Sequence, residues 1–318
     1  MNNPIEAEGL VRRFGDLVAV DHVDLTVTEG EIFGFLGPNG AGKSTTTRML
    51  TTLLKPTSGR ARVAGFDVVK EAPKVRRVIG VALQDAAIDP LMTGNELLKL
   101  QSVLHGIARP AAKTRCAELL ERVGLTAAGD RRVGTYSGGM RRRLDLALSL
   151  VHEPTVLFLD EPTTGLDPMS RVALWEEVRS LNREHGTTVL LTTQYLEEAD
   201  SLAGRIAIID NGKIVREGTP TELKSKVGSP TLRVEVGPQQ EDTARAVLAA
   251  HGDLRPSRAG VVAIGLAGGA AAIPRVARAL DDAKVDLVGF ELHNPSLDDV
   301  FADATGHRLE GAGSDDAD

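Results

Sequence analysis

Between Gly9 and Gly228, short runs of β-branched and other apolar residues alternate with longer amphipathic stretches. Such alternation predicts an α/β domain built on a mostly parallel sheet. The expected strands cover residues 24–27, 32–36, 78–83, 156–159, 188–192 and 206–210. The run Val156-Leu157-Phe158-Leu159 has no polar position, so it predicts a central strand with helices over both faces. From 91 to 129 the pattern changes. Leu97, Leu98, Leu119, Leu120 and Val123 recur at helical spacing among charges, which predicts a helical subdomain over about residues 91–150, outside the sheet.

The turn signal Gly228-Ser229-Pro230 interrupts this pattern, and the alternating run Leu232-Arg233-Val234-Glu235-Val236 begins another. A boundary is expected there, with residues 1–228 in the larger domain and 229–305 in a small α+β domain. This second stretch predicts helices at 242–250 and 274–283 and strands at 261–266 and 285–292, as two β-α-β halves. Ser296 and Asp299, just ahead of Val300 and Phe301, fit a helix N-cap and its acidic partner. Residues 306–318 are small and acidic and are expected to be a disordered tail.

Apolar residues make up 42% of the 318 and charged residues 25%, the usage of a globular chain with a large buried core. Lys+Arg 37 against Asp+Glu 44 leaves a net charge of −7, so no positive field holds a nucleic-acid backbone and nucleic acid is not an expected ligand. The one cysteine, Cys116, can form neither an internal disulfide nor a structural zinc site, and is expected to pack within a helix. The longest uncharged run, between Arg258 and Arg275, is rich in glycine and alanine and contains Pro274. It falls short of the ~18 strongly apolar residues of a membrane span, so any membrane role requires a partner.

The candidate chemistry starts where strand 32–36 runs into Gly37-Pro38-Asn39-Gly40-Ala41-Gly42-Lys43-Ser44-Thr45, which satisfies G-x-x-x-x-G-K-[ST] ahead of a helix-compatible stretch. The glycines let backbone N–H groups turn toward phosphate oxygens, and the helix starting near Lys43 adds its positive end. Lys43 supplies a cation for β- and γ-phosphates, and the Ser44 hydroxyl a ligand for magnesium. Strand, loop, lysine, hydroxyl and helix together predict binding of a nucleoside triphosphate. Strand 156–159 then ends in Asp160 and Glu161. Asp160 fits the magnesium shell and Glu161 a general base that polarises water toward the γ-phosphate, so hydrolysis is the expected reaction.

Tyr136-Ser137-Gly138-Gly139-Met140, followed by Arg141-Arg142-Arg143, resembles the signature motif of ATP-binding-cassette (ABC) ATPases and precedes the acidic strand in that family's order. Gln84 resembles the Q-loop residue, Gly165-Leu166-Asp167 the D-loop, and Phe14 the aromatic that stacks on adenine. The resemblance covers most of residues 9–228 and implies a P-loop NTPase cassette that uses ATP and Mg2+. It also implies that Ser137, Gly138 and Gly139, at a helix start, face the γ-phosphate held by a second copy, so that a homodimer closes head to tail over two ATP molecules. Alone, Ser-Gly-Gly is an ordinary helix N-cap, Phe14 suits a core, Gln84 a surface, and Asp167 a turn before Pro168. With the resemblance, Phe14 stacks on adenine, Gln84 reaches magnesium and the water, and Asp167 reaches the opposite phosphate loop.

One position departs from the family. After strand 188–192 the chain reads Thr193-Gln194-Tyr195-Leu196-Glu197-Glu198-Ala199-Asp200, with Gln194 where the broad family has histidine. A glutamine amide can donate to a γ-phosphate oxygen but cannot become cationic, so Gln194 is expected to keep a positioning role and lose a titratable one. These motifs, with Asn294-Pro295-Ser296-Leu297-Asp298-Asp299-Val300-Phe301, resemble more specifically the daunorubicin-resistance branch of ABC exporters, whose ATPase is a chain separate from the membrane permease. That implies an ATPase held peripherally at the cytoplasmic face of the cell membrane, powering export of drugs, antibiotics or lipid-like compounds through its permease. The alternative is a soluble cassette that regulates ribosomes or processes nucleic acid; the single phosphate loop and the acidic balance weigh against it. For the small domain, regulation, homodimer contact and a stabilising cap all stay open.

Overall fold

The computed structural model describes residues 3–83 and 88–307. The chain divides after Thr219 into two units, so the helix ahead of the Gly228 turn groups with the second.

Among the described residues, the first unit holds two sheets. The smaller joins β1 (Ile5–Phe14), β2 (Leu17–Val27), β4 (Ser58–Val63) and β5 (Phe66–Asp67) in the antiparallel order β2-β1-β4-β5. Only the end of β2 is visible in the sequence pattern. The reason is physical: the β1–β2 register shifts between Ala7 and Leu10, Leu10 and Arg12, and Arg12 and Arg13. Each bulge breaks the period of two on which a strand reading depends.

The larger sheet holds β3 (Ile32–Leu36), β6 (Ile79–Ala82), β7 (Val156–Asp160), β8 (Thr188–Thr193), β9 (Arg205–Asp210) and β10 (Lys213–Gly218), in the order β10-β9-β3-β8-β7-β6. All neighbours run parallel except β10 on β9. Successive residues of β7 explain its unbroken apolar run. Val156 and Phe158 join Phe33 and Phe35 in one core, whereas Leu157 and Leu159 join Val189 and Leu191 in another. The strand is interior, one place in from the β6 edge. β6 is shorter than expected because Val78 closes a helix instead.

The helices of this unit are α1 (Lys43–Leu50), α2 (Ala72–Val78), α3 (Gly94–Leu104), α4 (Arg109–Arg122), α5 (Gly138–Ser149), α6 (Pro168–His185) and α7 (Leu196–Leu202). Thr93 and Glu96 close a reciprocal capping box at the start of α3. Asp167 caps α6, Pro168 occupies its first position, and Gly186 ends it at φ 63. Leu98, Cys116, Leu119, Leu120 and Val123 bury against Leu144, which makes the helical region one apolar layer; burying each leucine contributes roughly 1.5–3 kcal/mol. In the larger sheet, Leu36 pairs with Thr193 and Asp160 with Thr192, so the carboxyl ends of β3, β7 and β8 lie side by side. Open parallel sheets hold ligands at that edge.

The second unit contains α8 (Pro220–Val227), β11 (Thr231–Val236), α9 (Glu241–Ala249), β12 (Asp253–Arg255), β13 (Val261–Gly265), α10 (Ile273–Asp282), β14 (Leu287–His293) and α11 (Leu297–Thr305). Its strands form an antiparallel sheet in the order β12-β13-β11-β14, the interleaved arrangement of two β-α-β halves. Leu232, Val234, Val262, Ile264, Leu248 and Leu280 form its core. Ser296 and Asp299 cap α11 reciprocally, the Ser296 amide donating to Asp299 Oδ2 at 2.9 Å and the Asp299 amide to Ser296 Oγ at 3.2 Å.

Candidate functional site

The loop from Gly37 to Gly42 is shaped by what its glycines exclude. A Cβ on Gly37 would lie 2.3 Å from the Ile209 carbonyl, and one on Gly42 would lie 2.5 Å from that of Ala19, with Gly42 already at φ 107. Gly42 is also the N-cap of α1 and brings no side chain to the first amides of that helix. Pro38 is half-buried, Asn39 and Gly40 are exposed, Ala41 is buried, and Ser44 and Thr45 lie partly covered at the helix start. Inside the loop, Lys43 is 3% exposed, and its Nζ donates to the carbonyls of Gly37 at 2.7 Å and Pro38 at 2.9 Å. Burial lowers the Lys43 pKa, opposed by the charges of Glu161, 3.3 Å away, and Asp160.

The acidic pair sits opposite. Ser44 Oγ donates to Asp160 Oδ1 at 3.0 Å, and Thr192 Oγ1, from β8, donates to the same oxygen. The Glu161 amide donates to the Thr192 carbonyl at 3.0 Å and lies 3.1 Å from Thr192 Oγ1. Glu161 holds φ 47, a left-handed conformation that a non-glycine residue keeps only where its surroundings fix it, commonly at functional sites. Strand pairing thus brings Lys43, Ser44, Asp160 and Glu161 together from segments more than a hundred residues apart. A cation, a hydroxyl and two carboxylates with different neighbours can bind a triphosphate and activate water beside it.

A second group of expected residues lies at the starts of α5 and α6. Ser137 caps α5, its Oγ accepting from the Met140 amide at 3.2 Å, while Ser137 and Gly138 remain exposed. Asp167 accepts from the Ser170 amide at 3.0 Å and the Ser170 hydroxyl at 2.6 Å, and these bonds lower its pKa. A Cβ on Gly139 would meet Ser170 Oγ at 2.9 Å, so the two helix starts adjoin. Gln194 follows β8, half-buried, between Thr193 and Tyr195. Phe14 ends β1 with 45% of its surface exposed, which removes the core-packing alternative; the Arg12 guanidinium lies 4.5 Å from its ring centroid. Gln84 lies outside the described residues.

Three residues of the site carried no separate expectation. Thr192 orients Asp160 and Glu161 from the neighbouring strand. Arg171 donates to the Leu166 carbonyl at 3.1 Å and lies 4.6 Å from the Tyr195 ring, joining the segment before Asp167 to the one after Gln194. Arg142 bonds to the Asp160 and Pro162 carbonyls, each at 2.9 Å. The sequence does carry one signal for Arg142: it stands three residues before Asp145, the spacing at which opposite charges on one helix meet.

Comparison with known proteins agrees with this geometry. Residues 20–164 match the ABC transporter family, and residues 218–305 match the C-terminal domain of DrrA1-3-like ATP-binding proteins. The chain is 48% identical over 310 residues to the daunorubicin resistance ATP-binding protein DrrA2 of Streptomyces coeruleorubidus, covering 96% of each. It is 46% identical over 295 residues to the doxorubicin resistance ATP-binding protein DrrA of Mycobacterium tuberculosis, covering 90% of this chain and 88% of that one. A solved dimeric ATP-binding cassette in a post-hydrolysis state with ADP and phosphate superposes with a TM-score of 0.62 at 26% identity, over 68% of this chain and 98% of that one. With near-complete coverage at this identity, the chain belongs to the ATP-binding proteins of ABC transporters, as an ATPase subunit of the drug-resistance exporter branch.

Proposed function

We propose that this chain is a peripheral subunit at the cytoplasmic face of the cell membrane, where it drives a separate permease that exports hydrophobic drugs, antibiotics or lipid-like compounds. The observation that carries the reading is the extent of the likeness to daunorubicin and doxorubicin resistance ATP-binding proteins, which runs through both units and includes the 218–305 domain. No helix among the described residues is long and apolar enough to cross a membrane, which fits a chain that works through a partner.

At the site, Gly37 to Thr45 cradle the triphosphate, Lys43 holds its β- and γ-phosphates, and Phe14 stacks on the adenine. Among the described residues no cluster of three or more His, Cys, Asp or Glu side chains could hold a metal, so a divalent ion would depend on the substrate phosphates as well as on protein groups. The donor set fits magnesium: Ser44 and Asp160 present a hydroxyl and a carboxylate 3.0 Å apart, with Gln84 a further ligand in sequence. When bound, magnesium neutralises charge on the phosphates. Glu161 takes the proton from the attacking water, and Gln194 donates an amide hydrogen bond to a γ-phosphate oxygen. Ser137, Gly138, Gly139 and Asp167 serve the nucleotide of a second copy, so binding closes a homodimer and hydrolysis reopens it; the solved dimeric cassette supports this arrangement.

The test is a Glu161→Gln variant. It should bind ATP normally, accumulate as a dimer with magnesium and ATP in size-exclusion chromatography, and turn over about 10²–10⁴-fold more slowly. Cells carrying the permease with that variant should retain doxorubicin that cells with the wild-type chain expel. Full turnover by the variant would remove Glu161 from its role, and a strictly monomeric variant would remove the dimer.

A further inference from the structure

One guanidinium touches three lines of chain that meet behind the carboxylates. Arg142, five residues into the segment that begins at Ser137, has a side chain only 11% exposed. Its Nε donates to the Pro162 carbonyl at 2.9 Å, Nη2 to the Asp160 carbonyl at 2.9 Å, and Nη1 to the Leu83 carbonyl at 2.6 Å and to Asp145 Oδ2 at 3.2 Å. Asp160 and Pro162 are the neighbours of Glu161 on either side, and Leu83 immediately precedes Gln84. The planar fork of arginine serves several acceptors in fixed directions, which an ammonium point charge does not.

The placement has energetic weight. Carbonyls at strand ends and in the loops beyond them need donors, and a buried charge is costly unless it is well bonded. Burial lowers the Arg142 pKa, opposed first by Asp145 and then by Asp160, Glu198 and Glu161. Glu161 at φ 47 depends on its surroundings for its conformation. Thr192 holds its amide from the β8 side. Arg142 holds the carbonyls on both of its flanks from the α5 side.

We propose that Arg142 is a positioning residue for hydrolysis: it fixes the backbone around Glu161 and ties it to the helix that begins at Ser137, so that the seating of the base depends on the position of that helix end. This rests on the reading of Glu161 as base and of the Ser137 end as the part that closes on a second copy's nucleotide. It adds a route by which closure on the partner's ATP reaches the chain's own carboxylate.

The experiment uses the full-length chain with Arg142→Lys and Arg142→Ala. Lysine keeps a cation beside Asp145 and guards the test against a misfolded alanine variant. Four quantities are read: affinity for a fluorescent ATP analogue, turnover at saturating ATP, hydrogen exchange of residues 160–164, and ATP-dependent dimerisation of each change combined with Glu161→Gln. Arg142→Lys should keep affinity within about twofold and still dimerise, yet lose at least about tenfold in turnover and exchange faster at 160–164, because small misplacements of a catalytic group are expensive. Turnover within twofold of wild type with unchanged exchange would overturn the proposal. So would a loss of affinity and thermal stability with turnover at saturation intact, which marks a packing role. Failure of the underlying reading is separate, since it shows in Glu161→Gln alone, with Arg142 in place.

Discussion

The starts of α1 and α5 are both helix ends that can face an anion, and they are built in opposite ways. At α1 the cap is Gly42 at φ 107, which offers no side chain to the first amides, and the neighbouring Lys43 is buried against two loop carbonyls and Glu161. At α5 the cap is Ser137, which spends its oxygen on the Met140 amide and stands exposed beside an exposed Gly138. Each start also has a buried cation–carboxylate pair, Lys43 with Glu161 at 3.3 Å and Arg142 with Asp145 at 3.2 Å. The difference teaches how the work divides. The first start brings a buried cation and a carboxylate of its own chain together at one helix end. The second offers an exposed end with the Arg142 charge turned inward to the protein, as a half-site would that awaits another copy.

Breaking the first start should have the largest effect. Lys43→Ala removes the phosphate cation and leaves a buried carboxylate without the charge beside it, a change of order 3–5 kcal/mol. ATP binding in a nucleotide titration and turnover should both be lost. If the variant still bound ATP with wild-type affinity, the α1 end would not be the phosphate site.

Breaking the second start should be milder and different in kind. Gly138→Asp puts a negative charge at the exposed α5 end, where it repels a phosphate but touches nothing in the chain's own α1 site. ATP affinity of the monomer should stay within about twofold while turnover falls at least about tenfold, a loss of roughly 1.4 kcal/mol or more in transition-state stabilisation. Mixing the two variants sharpens the comparison. A Lys43→Ala chain still offers a sound α5 end to the sound α1 site of a Gly138→Asp chain, so turnover should reappear in the mixture. A mixture as inactive as its components would mean that the two ends do not meet across a dimer.

How much of this was legible beforehand follows from sequence distance. The phosphate loop is contiguous, and Asp160 and Glu161 are adjacent, so their chemistry stands in the sequence without a fold. Thr192 reaches Asp160 across 32 residues and Arg142 reaches Leu83 across 59, pairings that only the parallel order β8-β7-β6 creates. The bulged β1–β2 pair hid its alternation, and the three-residue β12 is too short to show any. The turn at Gly228 is the strongest local punctuation, but α8 before it packs on α11, a contact set by helix faces about eighty residues apart. Local chemistry is written locally, whereas the residues that hold it in place come from wherever the sheet brings them.

The smallest effect concerns the inner pair of the second start. Burial raises the Asp145 pKa to about 6, with the Arg142 charge opposing. An unfolded aspartate titrates near 3.9, so the folded chain binds this proton more tightly than the unfolded one. Its contribution to stability is therefore full below about pH 4 and is lost as the pH rises through about 6. Asparagine does not titrate, so the stability of the wild type minus that of Asp145→Asn should fall between pH 4 and pH 7, by at most about 2–3 kcal/mol, read from urea midpoints of both chains at each pH. A difference that instead grew with pH would mean that the guanidinium holds Asp145 ionised even in acid. Charge attraction would then outweigh burial at α5, and the fork behind Glu161 would be anchored by a full ion pair across the whole range.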